Sequence, residues 1–165
     1  MTPHPVKHVI EAADRAIVAE DFDALMDFYA DDALLVIRPD LHVSGKQQIR
    51  QAFARIAEYF NHSLLVKQDN VVVLESGSTA LALGEAHLEF INTEGLRSSL
   101  VRRSTYVFMQ AEAGKWVCVI DNTYGTDLLN IAPTSAFPLQ NSGAQVAFWH
   151  NSDLTDRADE VRSQG

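Results

Sequence analysis

Apolar residues recur at helical spacing from Val9 to Tyr29. Ile10, Ala13 and Ile17 form one stripe, and Phe22, Leu25, Met26 and Phe28-Tyr29 a second. Glu20-Asp21 breaks the run, so the pattern predicts two consecutive helices. The second opens near Asp21, whose carboxylate suits the free N–H groups of a first turn. Tyr29-Ala-Asp-Asp32 ends the helical stretch. Ala33–Arg38 is a short β-prone segment halted by Pro39, and Asp40–Gly45 reads as a turn region. From Lys46 to Phe60, Ile49, Phe53, Ile56, Ala57 and Phe60 lie on one stripe of a further helix.

The second half changes period. Leu64–Gln68 leads into Val71–Leu74, and Glu75-Ser-Gly-Ser78 is a turn. Thr79–Phe90 is a long strand containing Gly84, followed by a turn at Asn92–Gly95. Leu100–Gln110 is the next strand, Glu112–Gly114 a tight turn, and Trp116–Tyr124 the last strand, ending at Gly125. Three hairpin-like connections in series predict an antiparallel meander. Helices first and strands later is the α+β order. A curved sheet wrapping a long helix accounts for it, with Gly84 marking the bend or bulge that curvature needs. Beyond Leu129 the apolar periodicity fades among Pro, Ser, Gly and Asn. The expected organisation is a domain over 1–129 and an appendage over 130–165, weakly structured or packing through Phe148-Trp149 on the domain or a partner.

With 165 residues the chain suits one domain. Its formal charge of −9 argues against a nucleic-acid surface, because phosphate binding needs clustered Lys and Arg, and Arg102-Arg103 sits alone in an apolar run. The single cysteine, Cys118, excludes a disulfide framework or multi-cysteine metal site within the chain and reads as a small buried hydrophobe. No secretion signal is visible near Met1–Ile10, and no stretch approaches the ~20 apolar residues of a membrane span. A soluble, cytoplasmic protein is expected.

Three strings then align in register. Asp21-Phe-Asp-Ala-Leu-Met-Asp-Phe-Tyr-Ala-Asp-Asp-Ala33, Ser44-Gly-Lys-Gln-Gln-Ile49 and Gly114-Lys-Trp-Val-Cys-Val-Ile-Asp-Asn122 resemble the ketosteroid isomerase-like (SnoaL-like, DUF4440-type) branch of the nuclear transport factor 2-like superfamily. Within it, Tyr106-Val-Phe108 and Val119–Leu128 look closest to uncharacterised bacterial YybH-type proteins. The resemblance spans roughly residues 8–129. It implies a cone-shaped, cystatin-like α+β fold with N-terminal helices on a curved, mostly antiparallel sheet, a small-molecule pocket and commonly a homodimer. It does not imply one reaction. Steroid isomerases of this fold use a tyrosine, a base aspartate and a protonated aspartic acid. The matching positions here fall near Ala13, at Ile37-Arg38 and at Tyr106, so ketosteroid isomerisation itself is not expected.

The candidate chemistry is therefore a set of polar residues in apolar strands. Ser104, Tyr106 and Phe108 share one face of their strand. Tyr106, at the old oxyanion position, either points its hydroxyl into the cone or packs as a core ring. Asp121 follows an apolar run and is either paired with a base such as Arg38 or Arg103, at a solvated strand end, or a pocket acid with a raised pKa. Asn122 and Thr123 are hydrogen-bonding neighbours. Glu85, His87 and Glu89 share a face, as a solvated or dimer-facing stripe or, less simply, as metal ligands. Tyr29, Arg38, Phe53, Phe60, His87, Arg103, Tyr106, Phe108, Asp121 and Thr123 form the candidate ligand-contacting set, with Asp121 and Tyr106 as catalytic candidates. Neither a metal nor another cofactor is expected. Three functions compete: a small-molecule-binding or association module, a cofactor-independent acid–base enzyme (isomerase, cyclase or dehydratase-like) on a small apolar carbonyl or cyclic compound, and a purely structural dimer.

Overall fold

The computed structural model describes residues 2–38 and 40–122. The expected end of the last strand at Tyr124, the candidate Thr123, the boundary at 129/130 and the Phe148-Trp149 pair lie outside the described residues.

Helix α1 spans Pro5–Val18, opened by Pro5 and capped by the His4 ring, which accepts the Val6 N–H. Val6, Ile10 and Ala13 are its buried stripe. The short α2, Phe22–Leu25, begins where expected: Asp21 Oδ1 accepts the Ala24 N–H at 3.0 Å. One turn of 3₁₀ helix, Met26–Phe28, carries the chain into strand β1, Tyr29–Arg38. Tyr29 was expected in the helix. It starts a strand because its backbone pairs in parallel with Cys118, and tertiary pairing overrides the helical spacing. The expected turn at Asp40–Gly45 holds a further strand, β2, Leu41–Ser44, antiparallel to β1. Helix α3, Lys46–Tyr59, buries Ile49, Ala52, Phe53 and Ala57.

Strands β3 (Leu65–Ser76), β4 (Thr79–Ile91), β5 (Arg97–Gln110) and β6 (Trp116–Asn122) form the expected meander. The sheet order is β2-β1-β6-β5-β4-β3, with only the β1–β6 pair parallel. Helix α1 packs over β3, and α3 over β1 and β2. The core lies between these helices and the inner face of the sheet.

Gly84 does mark an irregularity, but the bulge is in the neighbouring strand. Asp69 pairs with Glu85 and Val72 with Leu83, leaving Asn70 and Val71 to bulge opposite Gly84, with Asn70 at φ 53°. This is why Leu64–Gln68 and Val71–Leu74, read separately along the chain, are one strand. A Cβ at Gly84 would stand 3.2 Å from Gln68 Oε1 and 3.3 Å from Val71 Cγ2, so the missing side chain makes room for the Gln68 amide. Gly84→Ala is expected to cost about 1–2 kcal/mol through this overpacking, read as a lower urea midpoint at unchanged slope.

Candidate active site

A second bulge orients the central acid. Val107 pairs with Ile120, but Phe108 pairs with Cys118, so Val119 is an extra residue in β6. Trp116 and Cys118 face the core, and simple alternation would send Ile120 inward after them. The extra residue reverses this: Ile120 is 38% exposed and Asp121 only 3%. Register then aligns Ala82, Tyr106, Asp121 and Leu35 as one row across β4, β5, β6 and β1, all buried. Tyr106 and Asp121 are thus direct cross-strand neighbours, a relation that holds Cβ atoms about 5 Å apart.

Tyr29 donates its hydroxyl proton to Asp121 Oδ2 at 2.6 Å. The other oxygen, Oδ1, is buried without a hydrogen-bond partner among the described residues. Burial raises the Asp121 pKa to about 7; the Tyr29 hydrogen bond pulls it down, and the carboxylate of Asp14 pushes it up. Asp14, on the inward side of α1, is likewise raised to about 7. Burial dominates there too, partly offset by the Gln68 N–H that reaches Oδ2 at 3.1 Å. The phenols of Tyr29 and Tyr106 are pushed well up, first by burial and then by Asp121, so both keep their protons as donors.

Gln68 connects these groups. Its Nε2 donates to the Tyr106 hydroxyl oxygen at 2.8 Å, and its Oε1 accepts from Ser104 Oγ at 3.0 Å. Aromatic rings surround the polar row. Phe28 meets Tyr29, Tyr106 and Phe108 edge-on with centroids 4.9, 6.1 and 5.5 Å away, and Phe53 lies 6.4 Å from Tyr29.

The structure therefore brings together Tyr29, Phe53, Tyr106, Phe108 and Asp121 from the expected set. Others lie elsewhere. Phe60 packs on Phe90, 4.5 Å between centroids, near the far end of β4. Arg38 ends β1 with Nε 2.8 Å from Asp40 Oδ1. Arg103 is exposed on the outer face opposite Glu85. The expected Asp121 pairing with Arg38 or Arg103 is thus replaced by the Tyr29 hydroxyl, because alternation turns Arg103 away and Arg38 is held by its own loop. His87 also faces outward, 3.6 Å from Asp69 Oδ2. No group of three or more His, Cys, Asp or Glu side chains placed to hold a metal occurs among the described residues. Cys118 is buried, and burial raises its thiol well above the ordinary range.

Three inner residues escaped the sequence reading: Asp14, Gln68 and Arg102. Asp14 had a signal, since it stands four residues after Ile10 and three before Ile17 on the apolar stripe. Arg102 had one too, being two residues before Ser104 on the same face, and it is 4% exposed. Gln68 had none, because the bulge that gives it room follows from pairing.

Helices packed on one face of a six-stranded, mostly antiparallel sheet are the cystatin-like, nuclear transport factor 2-like fold. The chain belongs to the SnoaL-like domain family, matched over residues 6–120. No curated protein matches it. Solved structures share the fold. An NTF2-like protein with a cystatin-like fold from Novosphingobium aromaticivorans is 17% identical with TM-score 0.63, over 71% of this chain and 77% of that one. A candidate dehydratase of the NTF2-like family from Streptomyces avermitilis is 17% identical with TM-score 0.60, over 71% and 90%. The association domain of C. elegans CaMKII is 16% identical with TM-score 0.56, also over 71% and 90%. Among the described residues no helix is long and apolar enough to cross a membrane.

The raised acids set a pH dependence. Asp121 titrates near its ordinary 3.8 when unfolded and about 7 when folded. Its protonated form therefore favours folding fully below pH ~4, and that contribution is lost as pH rises through about 7. Each pH unit between the two values corresponds to about 1.4 kcal/mol. Asp121→Asn keeps an acceptor for Tyr29 and removes the ionisation. Its Tm is expected above wild type at pH 8, with the gap closing by pH 4.5 in thermal unfolding scans.

Proposed function

We propose that this chain is a cofactor-independent acid–base enzyme acting on a small, largely apolar carbonyl or cyclic compound. The observation that carries the reading is the Tyr106–Asp121 cross-strand pair, with Asp121 Oδ1 buried and unbonded. A carboxylate out of water without full hydrogen bonding is costly, and a module that only held apolar ligands would be better served by an amide or hydrocarbon. A carboxyl group titrating near 7 is suited to take and return protons at neutral pH. In this reading Asp121 removes a proton from carbon beside a carbonyl, while Tyr106 donates a hydrogen bond to the oxygen as negative charge develops there. Returning the proton to another carbon gives an isomerisation; delivering it to a β-hydroxyl, which then leaves as water as the C=C bond forms, gives a dehydration. Tyr29 holds Asp121 in place. The surrounding rings of Phe28, Phe53 and Phe108 supply an apolar lining. A cytoplasmic location and an appendage over 130–165 belong to the same reading.

The test needs no prior substrate. A panel of cyclic ketones, enones and β-hydroxy ketones is incubated with the protein in D₂O, and NMR follows exchange at the α-carbon or loss of water. At least one member is expected to react, and Asp121→Asn should slow it by at least a hundredfold. Equal rates in wild type and variant, or no reactive member, would sink the proposal.

A second feature supports self-association. Leu74, Leu81, Val107, Ile120 and Leu34 form an unbroken row on the outer face across five strands, and Leu74 is 56% exposed. Val72 and Met109 extend it, 52% and 45% exposed. So large an apolar face fits a second copy of the chain packed sheet to sheet. Light scattering is expected to give a dimer mass for wild type and a monomer for Leu74→Glu/Ile120→Lys. A monomeric wild type would refute it.

A further inference from the structure

We propose, resting on the acid–base reading above, that Asp14 is a second catalytic group facing Asp121, and that the site's substrate is a β-hydroxy carbonyl compound that loses water. Asp121 is the base, and Asp14 is the acid that protonates the departing hydroxyl.

Asp14 stands on the inward side of α1, over strand β3, four residues after Ile10 and three before Ile17. Its Oδ2 accepts the Gln68 backbone N–H at 3.1 Å. The Gln68 side chain reaches the Tyr106 hydroxyl at 2.8 Å, and Tyr106 is the cross-strand neighbour of Asp121. Two carboxyl groups therefore meet one polar cluster from different layers, Asp14 from the helix and Asp121 from the sheet. Each keeps an oxygen to spare. The Gln68 N–H is the one hydrogen bond of the Asp14 carboxyl among the described residues, and Asp121 Oδ1 is buried and unbonded.

A structural role alone does not explain the acid. Strand β3 is a sheet edge, and a side chain that caps one of its free N–H groups is useful there. An asparagine or serine would accept that N–H without setting an ionisable group on the inner side of a helix. Burial raises Asp14 to about 7, as it does Asp121, and the charge of Asp14 raises Asp121 further. Repulsion acts both ways, so loss of the first proton hinders loss of the second. Near neutral pH the pair holds about one proton: one base and one acid. Beside Asp14 on its own helix, Glu11 opposes ionisation and Arg15 favours it. From the sheet, Tyr106 and Asp121 face it.

That protonation state matches an elimination. Ionised Asp121 takes the proton from the carbon beside the carbonyl, and the C–H electron pair enters the enolate. Protonated Asp14 gives its proton to the β-hydroxyl. The C–O bond breaks, its electron pair leaves with the water, and the enolate closes to a C=C bond conjugated with the carbonyl. Asp121 ends protonated and Asp14 ionised, and proton exchange with water restores the pair. A single carboxyl would have to carry one proton from carbon to oxygen; two groups make that movement unnecessary.

The experiment incubates the full chain in D₂O with the β-hydroxy ketones of the panel, β-hydroxycyclohexanone among them. NMR separates deuterium entry at the α-carbon from loss of water. Wild type is expected to do both, and kcat/KM for water loss should rise and then fall with pH around a maximum near about 7. Asp14→Asn keeps the acceptor for the Gln68 N–H and removes the acid. Water loss should slow at least about a hundredfold and α-deuteration by less than about threefold, and the alkaline fall in the residual rate should vanish. Asp14→Glu returns an acid and should recover water loss to within about tenfold. It stands in, with the wild-type pH profile, should Asp14→Asn not fold. A readout without substrate is ¹³C NMR of labelled Asp carboxyls: the Asp121 pKa should fall in Asp14→Asn, because a neighbouring negative charge is gone.

Wild type that exchanges the α-proton but loses no water would overturn the proposal. So would Asp14→Asn slowing both steps equally, the mark of a merely structural role, or slowing neither, which means that one carboxyl performs both. An Asp121 titration unmoved by Asp14→Asn would count against it in the same way. Those results leave Asp121 as the acid–base group. Absence of both exchange and water loss in wild type would remove the enzyme reading and this proposal with it.

Discussion

The placement of one carboxylate governs the inner face of this domain. Asp121 is taken out of water between Tyr106 and Leu35, and the compensation it finds is a single hydroxyl, that of Tyr29. An ionised carboxylate so placed would lose far more hydration than one neutral donor restores. The group responds by holding its proton up to about pH 7. Everything around it is consistent with that compromise. Tyr29 sits at the start of β1 because the parallel pairing with β6 brings it under the acid. The Phe28 ring packs edge-on against three neighbours and keeps the surroundings apolar. Asp14 faces the same interior from α1, and its charge adds to the cost of ionising Asp121.

Two β-bulges make this arrangement geometrically available. An extra residue in β6 reverses the alternation after Cys118, exchanging Ile120 for Asp121 on the inner side. A wider one in β3 lets Gln68 and Val73 both face inward although they are five residues apart. Bulges break the ladder locally and leave groups unpaired, so they weaken a sheet unless something is gained from re-aiming side chains. Here the residues re-aimed, Asp121 and Gln68, are the polar ones. The same devices sort the outer face: with Ile120 turned out, its side chain completes an apolar row from Leu74 to Leu34. One local irregularity thus builds the polar interior and the hydrophobic exterior at once.

Fold and chemistry separate clearly within the family. The helices and meander carry the SnoaL-like architecture, which solved structures below 20% identity share. The polar set does not follow from that architecture. By the resemblance, the acid–base positions of the steroid isomerases correspond here to Ala13, Ile37-Arg38 and Tyr106, none of which has the residue type that reaction uses there.

Much of the fold was legible along the chain because its signals are local. The stripe Ile10-Ala13-Ile17, the Asp21 cap, the α3 stripe through Phe53 and the turns at Gly77, Gly95 and Gly114 depend on spacing and on backbone freedom. The start of β1 at Tyr29 was not legible, since pairing with Cys118, nearly ninety positions away, decided it, and β2 read as a turn because so short a segment shows itself only by its pairing with β1. The site divides in the same way. Tyr106 and Phe108 on one face follow from strand alternation, and Asp121 stood out as a charge after an apolar run. That Asp121 meets Tyr29 rather than Arg38 or Arg103, and that His87 and Arg103 face outward, followed from register and bulges. The sequence by itself determined which side chains carry chemistry and which elements carry them. The tertiary structure decided which face each occupies, because one inserted residue in a strand flips every side chain beyond it, and only the partner strand shows where that residue lies.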